Sequence, residues 1–223
     1  MIKIIVVDDH ELVREGIIRV LAEASDLHVA GEGASGEEAL ELVRRERPQV
    51  VLMDLRMPGI GGLEATRRIA RSRPECRVIV LTVCDQEPFP SQLFRAGAAG
   101  YLTKKSAATE AVHAVRRVAS GQKYVSPDVA QALALDSFGG VAGSPFSLLS
   151  GRELQIALMV ANCRRVAEIS TELHLSPKTV NSYRYRVFEK LGVSSDVELA
   201  VMAMRHGLVE SYASRQDRGR RSA

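Results

Sequence analysis

Three acidic side chains, a threonine and a lysine each follow an apolar run in the first half of the sequence. Asp8 and Asp9 follow IKIIVV, Asp54 follows VVLM, Thr82 follows RVIVL, and Lys104 follows GYLT. Such short apolar runs predict strands that are buried on both faces. The two adjacent carboxylates repel each other unless a cation lies nearby, although one of them could simply cap the helix predicted to follow.

These residue types together predict phosphoryl chemistry. If the runs form parallel strands, their carboxyl ends meet at one edge of the sheet, where sites commonly form. Three carboxylates at that edge would make an oxygen-rich site suited to Mg²⁺. The metal would offset their repulsion and leave one carboxylate free to attack phosphorus, which gives an acyl phosphate. Lys104 would supply positive charge for the phosphate, and Thr82 would supply a hydroxyl donor.

The elements that must position these residues alternate along the first 120 residues. Five strands are predicted, and the segments between them have apolar residues at helical spacing. The strands are IKIIVV, HVAGE, QVVLMD, RVIVLT and AGYLT. This alternation predicts an α/β doubly wound, five-stranded parallel sheet with helices on both faces. From Ser150 onward the periodicity is helical throughout, which predicts a small all-α domain.

Four segments are expected along the chain. Residues 1–121 form the first domain, and residues 122–145 form a linker in which a short helix starts at Ser126-Pro127 and runs through Leu135, before the Gly-rich FGGVAGSP. The second domain spans residues 146–210, and a short basic tail at residues 211–223 is predicted to be disordered.

Composition and charge narrow the class of protein. The 223 residues are 46% hydrophobic and 26% charged, as in globular proteins, and no apolar run approaches the roughly 20 residues of a membrane helix. Three scattered cysteines (Cys76, Cys84 and Cys163) and the absence of a signal-peptide pattern favour a cytoplasmic protein. The net charge is zero over residues 1–121 and +4 over residues 145–223, which favours a polyanion as partner of the second half.

The second half has the pattern of a helix-turn-helix. Ser150 and Glu153 form a predicted capping box, and a second helix follows in RRVAEISTELHL. In the third helix Ser176 is the predicted cap, Pro177 the first helical residue and Gly192 the stop. Helix, turn and helix in this order place the later helix in a DNA major groove.

The third helix has an apolar and a polar face when residues 178–191 are placed about 100° apart. The apolar face carries Val180, Tyr183, Val187 and Leu191. We expect the polar face to bind phosphates and read base edges through Lys178, Thr179, Asn181, Ser182, Tyr185 and Arg186. Arg184 lies nearer the apolar side, so a DNA-backbone contact or a structural role is expected there. The alternative is a polar face that is merely solvated.

The first 120 residues resemble the receiver domain of two-component response regulators, which has a flavodoxin-like fold. VVDDHELVREG, VVLMDLRMPGIGGLEATR, IVLTVC and AGAAGYLTK carry the match. The resemblance implies that a sensor histidine kinase phosphorylates Asp54. It implies a Mg²⁺ site formed by Asp8, Asp9, Asp54 and the carbonyl group of Arg56. It also implies that Thr82 and Lys104 bind the phosphoryl group and that Tyr101 switches together with Thr82.

The second half resembles the LuxR-type helix-turn-helix of the NarL/FixJ response regulators. The match includes Leu149-Ser150, Arg152-Glu153, Glu168-Ile169, Thr179-Val180 and Lys190-Leu191. The turn departs from the usual Gly, Ser or Thr, Asn and Ala at Cys163, Arg165, Val166 and Ser170. The stretches TVC…PFP, ALMVANC, SPKTVNSYRYRVFEKL and SSDVELA most resemble the subgroup of GacA and UvrY. That likeness implies a GacS/BarA-type sensor kinase, a homodimer formed on phosphorylation, and double-stranded promoter DNA of small regulatory RNA genes as target.

Two other classes of protein are alternatives. A Mg²⁺-dependent phosphatase with an aspartate nucleophile would want an acid two residues after that aspartate, but His10 follows Asp8 and Arg56 follows Asp54 at this spacing. A ligand-responsive quorum regulator with a LuxR-type domain would need an apolar pocket in place of the acidic edge. The prediction is therefore a transcription regulator that accepts a phosphoryl group, and not an enzyme.

Overall fold

A computed structural model describes residues 1–57, 59–82, 90–131, 144–206 and 208–209, with the main chain alone at residues 82 and 90–92. The chain divides into two compact units, Met1–Val141 and Ala142–Ala223. The glycine-rich part of the predicted linker and the predicted tail at residues 211–223 lie outside the described residues. Among the described helices, none is long and apolar enough to cross a bilayer.

The first unit contains a parallel sheet in the order β2-β1-β3-β4-β5-β6. Its strands are β1 Ile2–Val7, β2 Leu27–Gly33, β3 Val50–Asp54, β4 Arg77–Thr82, β5 Gly100–Thr103 and β6 Tyr124–Val125. The predicted fold class is confirmed, but the predicted count of five strands is wrong. The sixth strand forms in the predicted linker because Tyr124 N–H donates to the Ala99 carbonyl (3.1 Å) and Ser126 N–H donates to the Tyr101 carbonyl (3.0 Å).

Helices cover the sheet from both sides, which explains why the strands are apolar without alternation. The helices of this unit are α1 Glu11–Ala22, α2 Gly36–Glu46, α3 Gly61–Ser72, α4 Pro90–Arg95 and α5 Lys104–Ala119. Helices α1 and α5 pack against one face through a core that includes Ile4, Val6, Leu52, Leu81 and Leu102. The alternate residues Ile5, Val51 and Met53 are equally buried, on the face that α2 and α3 cover. Residues 127–131 are helical, as predicted after Ser126-Pro127, whereas the predicted continuation to Leu135 lies outside the described residues.

Strand register brings the predicted chemical residues level with one another. Val7 pairs with Met53, so Asp8 and Asp54 follow at the same height of adjacent strands. Asp54 pairs with Leu81, and Thr82 pairs with Thr103, the residue before Lys104. The carboxyl ends of four neighbouring strands therefore meet at one edge.

The second unit is helical in its described part. A short 3₁₀ turn at Pro145–Leu148 precedes α6 Gly151–Ala161, α7 Val166–Leu173, α8 Pro177–Leu191 and α9 Asp196–Arg205. The predicted capping box at Ser150 and Glu153 is confirmed. Helix α8 begins as predicted, with Ser176 accepting from Thr179 N–H and Pro177 in the first turn, and it ends at Gly192 in the left-handed conformation.

Candidate functional site

Four side chains at the carboxyl edge of the sheet form an acidic cluster. Ligand atoms of Asp8, Asp9, His10 and Asp54 all lie within 4.8 Å of one another. The Asp8 side chain is fully buried and Asp54 is 2% exposed, because both follow interior strands. Asp9 and His10 lie at the start of the next segment and face solvent. The cluster is thus buried at its base and open at its rim.

Lys104 joins the two buried acids. Its ammonium nitrogen lies 2.7 Å from Asp8 Oδ2 and 2.9 Å from Asp54 Oδ2, and its side chain is 12% exposed. Thr103 caps the helix that starts at Lys104, since its hydroxyl oxygen accepts from Ser106 N–H (3.1 Å). The start of α5 therefore fixes the height at which the ammonium group meets the acids.

Burial makes Asp54 hard to ionise. It raises the pKa of this carboxyl group from 3.8 to about 6; the positive charge of Lys104 opposes the shift, and the negative charge of Asp8 adds to it. A hydrogen bond from the backbone of Arg56 also favours the ionised form. Such a perturbed acid in an open site is typical of functional residues. An additional cation at the cluster would favour the ionised form further.

The loop after Asp54 and the first turn of α3 approach their neighbours so closely that only glycine fits at two positions. A Cβ atom at Gly62 would lie 1.9 Å from the Asp54 carbonyl oxygen. Gly59 has a φ of +74°, and a Cβ there would lie 2.4 Å from the Glu37 carboxylate. Glu37 in turn accepts a hydrogen bond from Ile60 N–H at 3.0 Å. The hydrogen bond between Ile60 and Glu37 ties the loop to α2.

Asp8 is held by hydrogen bonds with Gly33, Arg14 and His10 and does not cap a helix. Its N–H donates to the Gly33 carbonyl (3.0 Å), and Arg14 Nη1 donates to its carbonyl (2.8 Å). The cap of α1 is His10, without a side-chain cap hydrogen bond, so the capping alternative is not observed. Instead, Asp8 Oδ1 accepts from the His10 backbone N–H at 2.9 Å. The carboxylate is therefore fixed at the edge of the sheet.

The remaining predicted residues of this edge have different positions. Arg56 is half-buried in the loop that follows Asp54. Tyr101 is 1% exposed and lies on β5, where it pairs with Val80 of β4, the strand that separates β5 from β3. Thr82 is the last residue of β4, and the description covers only its main chain there. The metal-ligand role of the Arg56 carbonyl group and the switch roles of Thr82 and Tyr101 stay predictions.

His10 was missed as a member of the cluster by sequence reasoning. Its ring nitrogen Nδ1 lies 2.7 Å from Asp9 Oδ1 and 3.4 Å from Asp8 Oδ1. The signal was its position directly after the acid pair, where an imidazole can add a nitrogen to oxygen ligands. Sequence alone does not show that the ring turns toward the acids.

Helix α8 exposes most of the residues predicted to contact DNA. Lys178, Ser182, Tyr185 and Arg186 are exposed, and Tyr185 is 67% exposed, whereas Thr179 and Asn181 are half-buried. Val180, Val187 and Leu191 are buried as predicted, and Tyr183 is half-buried. The Ser182 hydroxyl donates to the Lys178 carbonyl (3.0 Å), and the Thr179 hydroxyl bonds the Ser176 hydroxyl (2.8 Å). An exposed aromatic side chain together with the two exposed cations Lys178 and Arg186 suits a polyanion surface.

Arg184 contacts the protein itself. Its Nε lies 2.6 Å from Asp196 Oδ1 and its guanidinium lies 5.2 Å from the centre of the Phe188 ring. These contacts join α8 to the start of α9, as the structural alternative for this residue anticipated. Lys190 makes a second such tie, with its ammonium nitrogen 2.7 Å from the buried Glu153 carboxylate. Burial alone would raise the pKa of Glu153, but the Lys190 and Ser150 hydrogen bonds outweigh it and lower that pKa.

Comparison with known proteins matches both units. Residues 4–116 match the family described as the response regulator receiver domain, and residues 147–203 match the bacterial regulatory proteins of the luxR family. The chain is 58% identical over 214 residues to the response regulator GacA of Pseudomonas syringae, covering 96% of this chain and 100% of the relative. It is 53% identical over 209 residues to the response regulator UvrY of Escherichia coli, covering 93% of this chain and 96% of the relative.

Solved structures give the same assignment. The structure of RcsB from Salmonella enterica serovar Typhimurium bound to promoter rprA in the presence of phosphomimetic BeF₃⁻ is 25% identical, with a TM-score of 0.72. The aligned region covers 90% of this chain and 97% of the RcsB chain. A two-component response regulator of the LuxR family from an Aurantimonas species is 38% identical with a TM-score of 0.59, covering 62% of this chain and 99% of that chain.

Proposed function

The chain belongs to the two-component response regulators that carry a LuxR-type DNA-binding domain, and we propose that phosphorylation of Asp54 controls its binding to promoter DNA. The observation that carries the proposal is the buried Asp8–Asp54 pair with Lys104 between them at the open edge of the sheet. The protein acts as a phosphoryl acceptor and transcription regulator in the cytoplasm. Its likeness to GacA and UvrY favours a GacS/BarA-type sensor histidine kinase as donor.

The residues at the acidic edge have different proposed roles in phosphoryl transfer. An Asp54 carboxylate oxygen attacks phosphorus, and the bond from phosphorus to the donor's leaving atom breaks, which leaves an acyl phosphate. Lys104 already lies 2.9 Å from Asp54, so its ammonium group can donate to an oxygen of the transferred group. Thr82 ends the neighbouring strand and is proposed to donate its hydroxyl to another. Placing charge in this way is most of what such a transfer needs.

The cluster fits Mg²⁺ by the chemistry of its donors. Three carboxylates within 4.8 Å of one another are hard oxygen ligands, and the open rim leaves room for waters. We propose Asp8, Asp9, Asp54 and the carbonyl oxygen of Arg56 as ligands. The ion would neutralise charge on the acids and on the transferring phosphoryl group. Asp9→Ala should therefore weaken Mg²⁺ binding and phosphorylation together.

Phosphorylation can be tested with a small donor. The full chain incubated with acetyl phosphate and Mg²⁺ should gain a single phosphate, measured by intact mass, while acetate leaves with the electron pair of the broken bond. The adduct should disappear in base because acyl phosphates hydrolyse. Asp54→Asn should abolish the adduct. The matched control is Asp128→Asn, because Asp128 is an exposed acid in the helical segment 127–131. Acid-stable phosphorylation of Asp54→Asn at full yield would contradict the proposal.

DNA binding is proposed to occur through α8 in a homodimer. The basic side chains Lys178 and Arg186 flank the exposed face of this helix. Helix α9 exposes Val197, Val201 and Met204 at helical spacing, a surface that a second copy could cover. Dimeric binding would place half-sites about one helical turn of DNA apart. The targets proposed from the likeness to GacA and UvrY are promoters of small regulatory RNA genes.

The coupling between the two units has its own experiment. A fragment of residues 145–223 should bind specific DNA without phosphate, whereas the full chain should gain affinity and dimerise on phosphorylation. DNA titration of both proteins, with sedimentation of the phosphorylated chain, measures the two effects. A full chain that binds DNA equally with and without phosphate and stays monomeric would contradict phosphorylation control.

A further inference from the structure

His10 and Lys104 contact different oxygen atoms of the same buried carboxylate, that of Asp8. Lys104 Nζ lies 2.7 Å from Asp8 Oδ2, whereas His10 Nδ1 lies 3.4 Å from Asp8 Oδ1. The His10 main chain also contacts Oδ1, since its N–H donates there at 2.9 Å. Oδ2 of Asp8 is therefore the oxygen on the Lys104 side, and Oδ1 is the oxygen on the His10 side. A cation on that side would meet the imidazole nitrogen.

The distances from His10 Nδ1 to its two neighbouring carboxylate oxygens are close to those between ligands of a single ion. Without an ion, the contact with Asp9 Oδ1 is a hydrogen bond, and a bound ion would take the place of its proton. Neighbouring ligand atoms of an octahedral divalent cation, each about 2.1 Å from the metal, are about 3.0 Å apart. His10 Nδ1 lies 2.7 Å from Asp9 Oδ1 and 3.4 Å from Asp8 Oδ1, on either side of that value. The side chain of His10 is 49% exposed and that of Asp9 is 30% exposed, so an ion and its waters have access.

We propose that His10 Nδ1 is a ligand of the cation at the acidic cluster, beside Asp8, Asp9 and Asp54. Imidazole nitrogen binds metals such as Ni²⁺ well, whereas carboxylate, carbonyl and water ligands suit Mg²⁺ and Mn²⁺. The nitrogen therefore extends the range of ions that the site binds from Mg²⁺ to divalent transition-metal ions. This inference rests on the proposed function, because it needs a cation at the acidic edge.

The first measurement compares two ions on the untagged full chain. Calorimetric titrations with Mg²⁺ and Ni²⁺ are run on the wild type, on His10→Gln and on His28→Gln. His28 is the matched control, because it is exposed and pairs with Lys3 at the opposite end of the strands. The ratio of Ni²⁺ to Mg²⁺ affinity should fall at least about tenfold in His10→Gln, since even outer-shell partners of a metal are worth that much. His28→Gln should keep the wild-type ratio.

The second measurement detects the nitrogen directly. Mn²⁺ bound to the wild type and to His28→Gln should show ¹⁴N coupling in pulsed electron paramagnetic resonance, and His10→Gln should not. Absence of this coupling in a wild type that binds Mg²⁺ and is phosphorylated would overturn the role of His10 and leave the proposed function standing. Equal losses of Ni²⁺ and Mg²⁺ affinity without ¹⁴N coupling would also overturn it, because His10 would then only orient Asp9. A wild type that binds no divalent cation would overturn both proposals.

Discussion

Replacing Asp54 by asparagine should stabilise the first unit at neutral pH when no divalent cation is present. Burial and the charge of Asp8 raise the pKa of Asp54 from 3.8 to about 6 in spite of Lys104. Ionised Asp54 therefore lowers the stability of the folded state, and asparagine removes that ionisation. Lys104 keeps a partner in the variant, because Asp8 Oδ2 remains 2.7 Å from its ammonium nitrogen.

The sign and size of the effect follow from the two pKa values. Below pH 3.8 the carboxyl group is protonated in the folded and unfolded states, so its ionisation has no effect on stability. Between 3.8 and about 6 the unfolded state loses its proton first, and stability falls as the pH rises. A difference of about 2 pKa units corresponds to about 3 kcal/mol, which is lost in full above pH 6. The asparagine variant should not show this loss.

Native-state hydrogen exchange of β1 and β3 amides measures the unfolding free energy of this unit within the full chain. The wild type, Asp54→Asn and the control Asp128→Asn are compared at about pH 4 and about pH 7, with exchange corrected for its intrinsic rate. The gap between wild type and Asp54→Asn should widen by about 2–2.5 kcal/mol from pH 4 to pH 7, because a small part of the loss has already occurred at pH 4. Mg²⁺ should then stabilise the wild type and narrow the gap. A gap that does not change with pH would refute the reasoning.

Three further predictions concern the loop after β3, the turn after α6 and helix α8. Gly62→Ala should lower stability in a urea titration by more than about 1 kcal/mol and slow phosphorylation, because its Cβ would clash with the Asp54 carbonyl oxygen at the end of β3. The control Gly16→Ala, in open space on α1, should raise stability by about 0.5–1 kcal/mol in that titration. Cys163→Gly should raise the melting temperature of the second unit, corresponding to about 1 kcal/mol, because Cys163 has a φ of +59°; an equal gain from Cys163→Ala would contradict this cause. Lys178→Ala should weaken binding to all DNA and reduce the salt slope by about 1, whereas Asn181→Ala should cost about 1–3 kcal/mol at particular bases; equal losses on specific and random duplexes would contradict base reading.

The elements that local patterns control were predictable from the sequence. Unbroken apolar runs ending in Asp8 and Asp54 predict strands covered on both faces, and parallel strands bring their carboxyl ends to one edge. The caps at Ser150 and Ser176 are equally local, because each side chain satisfies a backbone N–H a few residues away. These parts of the fold required no knowledge of distant contacts.

Features that depend on distant contacts were not predictable. Strand β6 has two residues, too few for a periodicity, and it exists because the free edge of β5 offers the Ala99 and Tyr101 carbonyl groups. The need for glycine at position 62 appears only when the loop is folded against Asp54. The sequence shows Cys163 where related turns have glycine, but it does not show that this residue adopts a left-handed conformation that lowers stability. Its left-handed conformation shows that this turn keeps the geometry that glycine normally provides, with Cys163 N–H and Arg164 N–H bonding the carbonyls of Val160 and Met159.

The backbone connects the acidic edge to the segment that leads toward the second unit. Phosphorylation would replace the single charge of Asp54 by a group of nearly two negative charges, and Lys104, which follows β5 directly, would then pair with that group. In β5, the Tyr101 carbonyl accepts a hydrogen bond from the Ser126 N–H. Ser126 and Val129 are buried, so the first residues after β6 pack on the first unit and do not hang free. The sixth strand therefore ties the start of the predicted linker to β5, the strand that Lys104 directly follows.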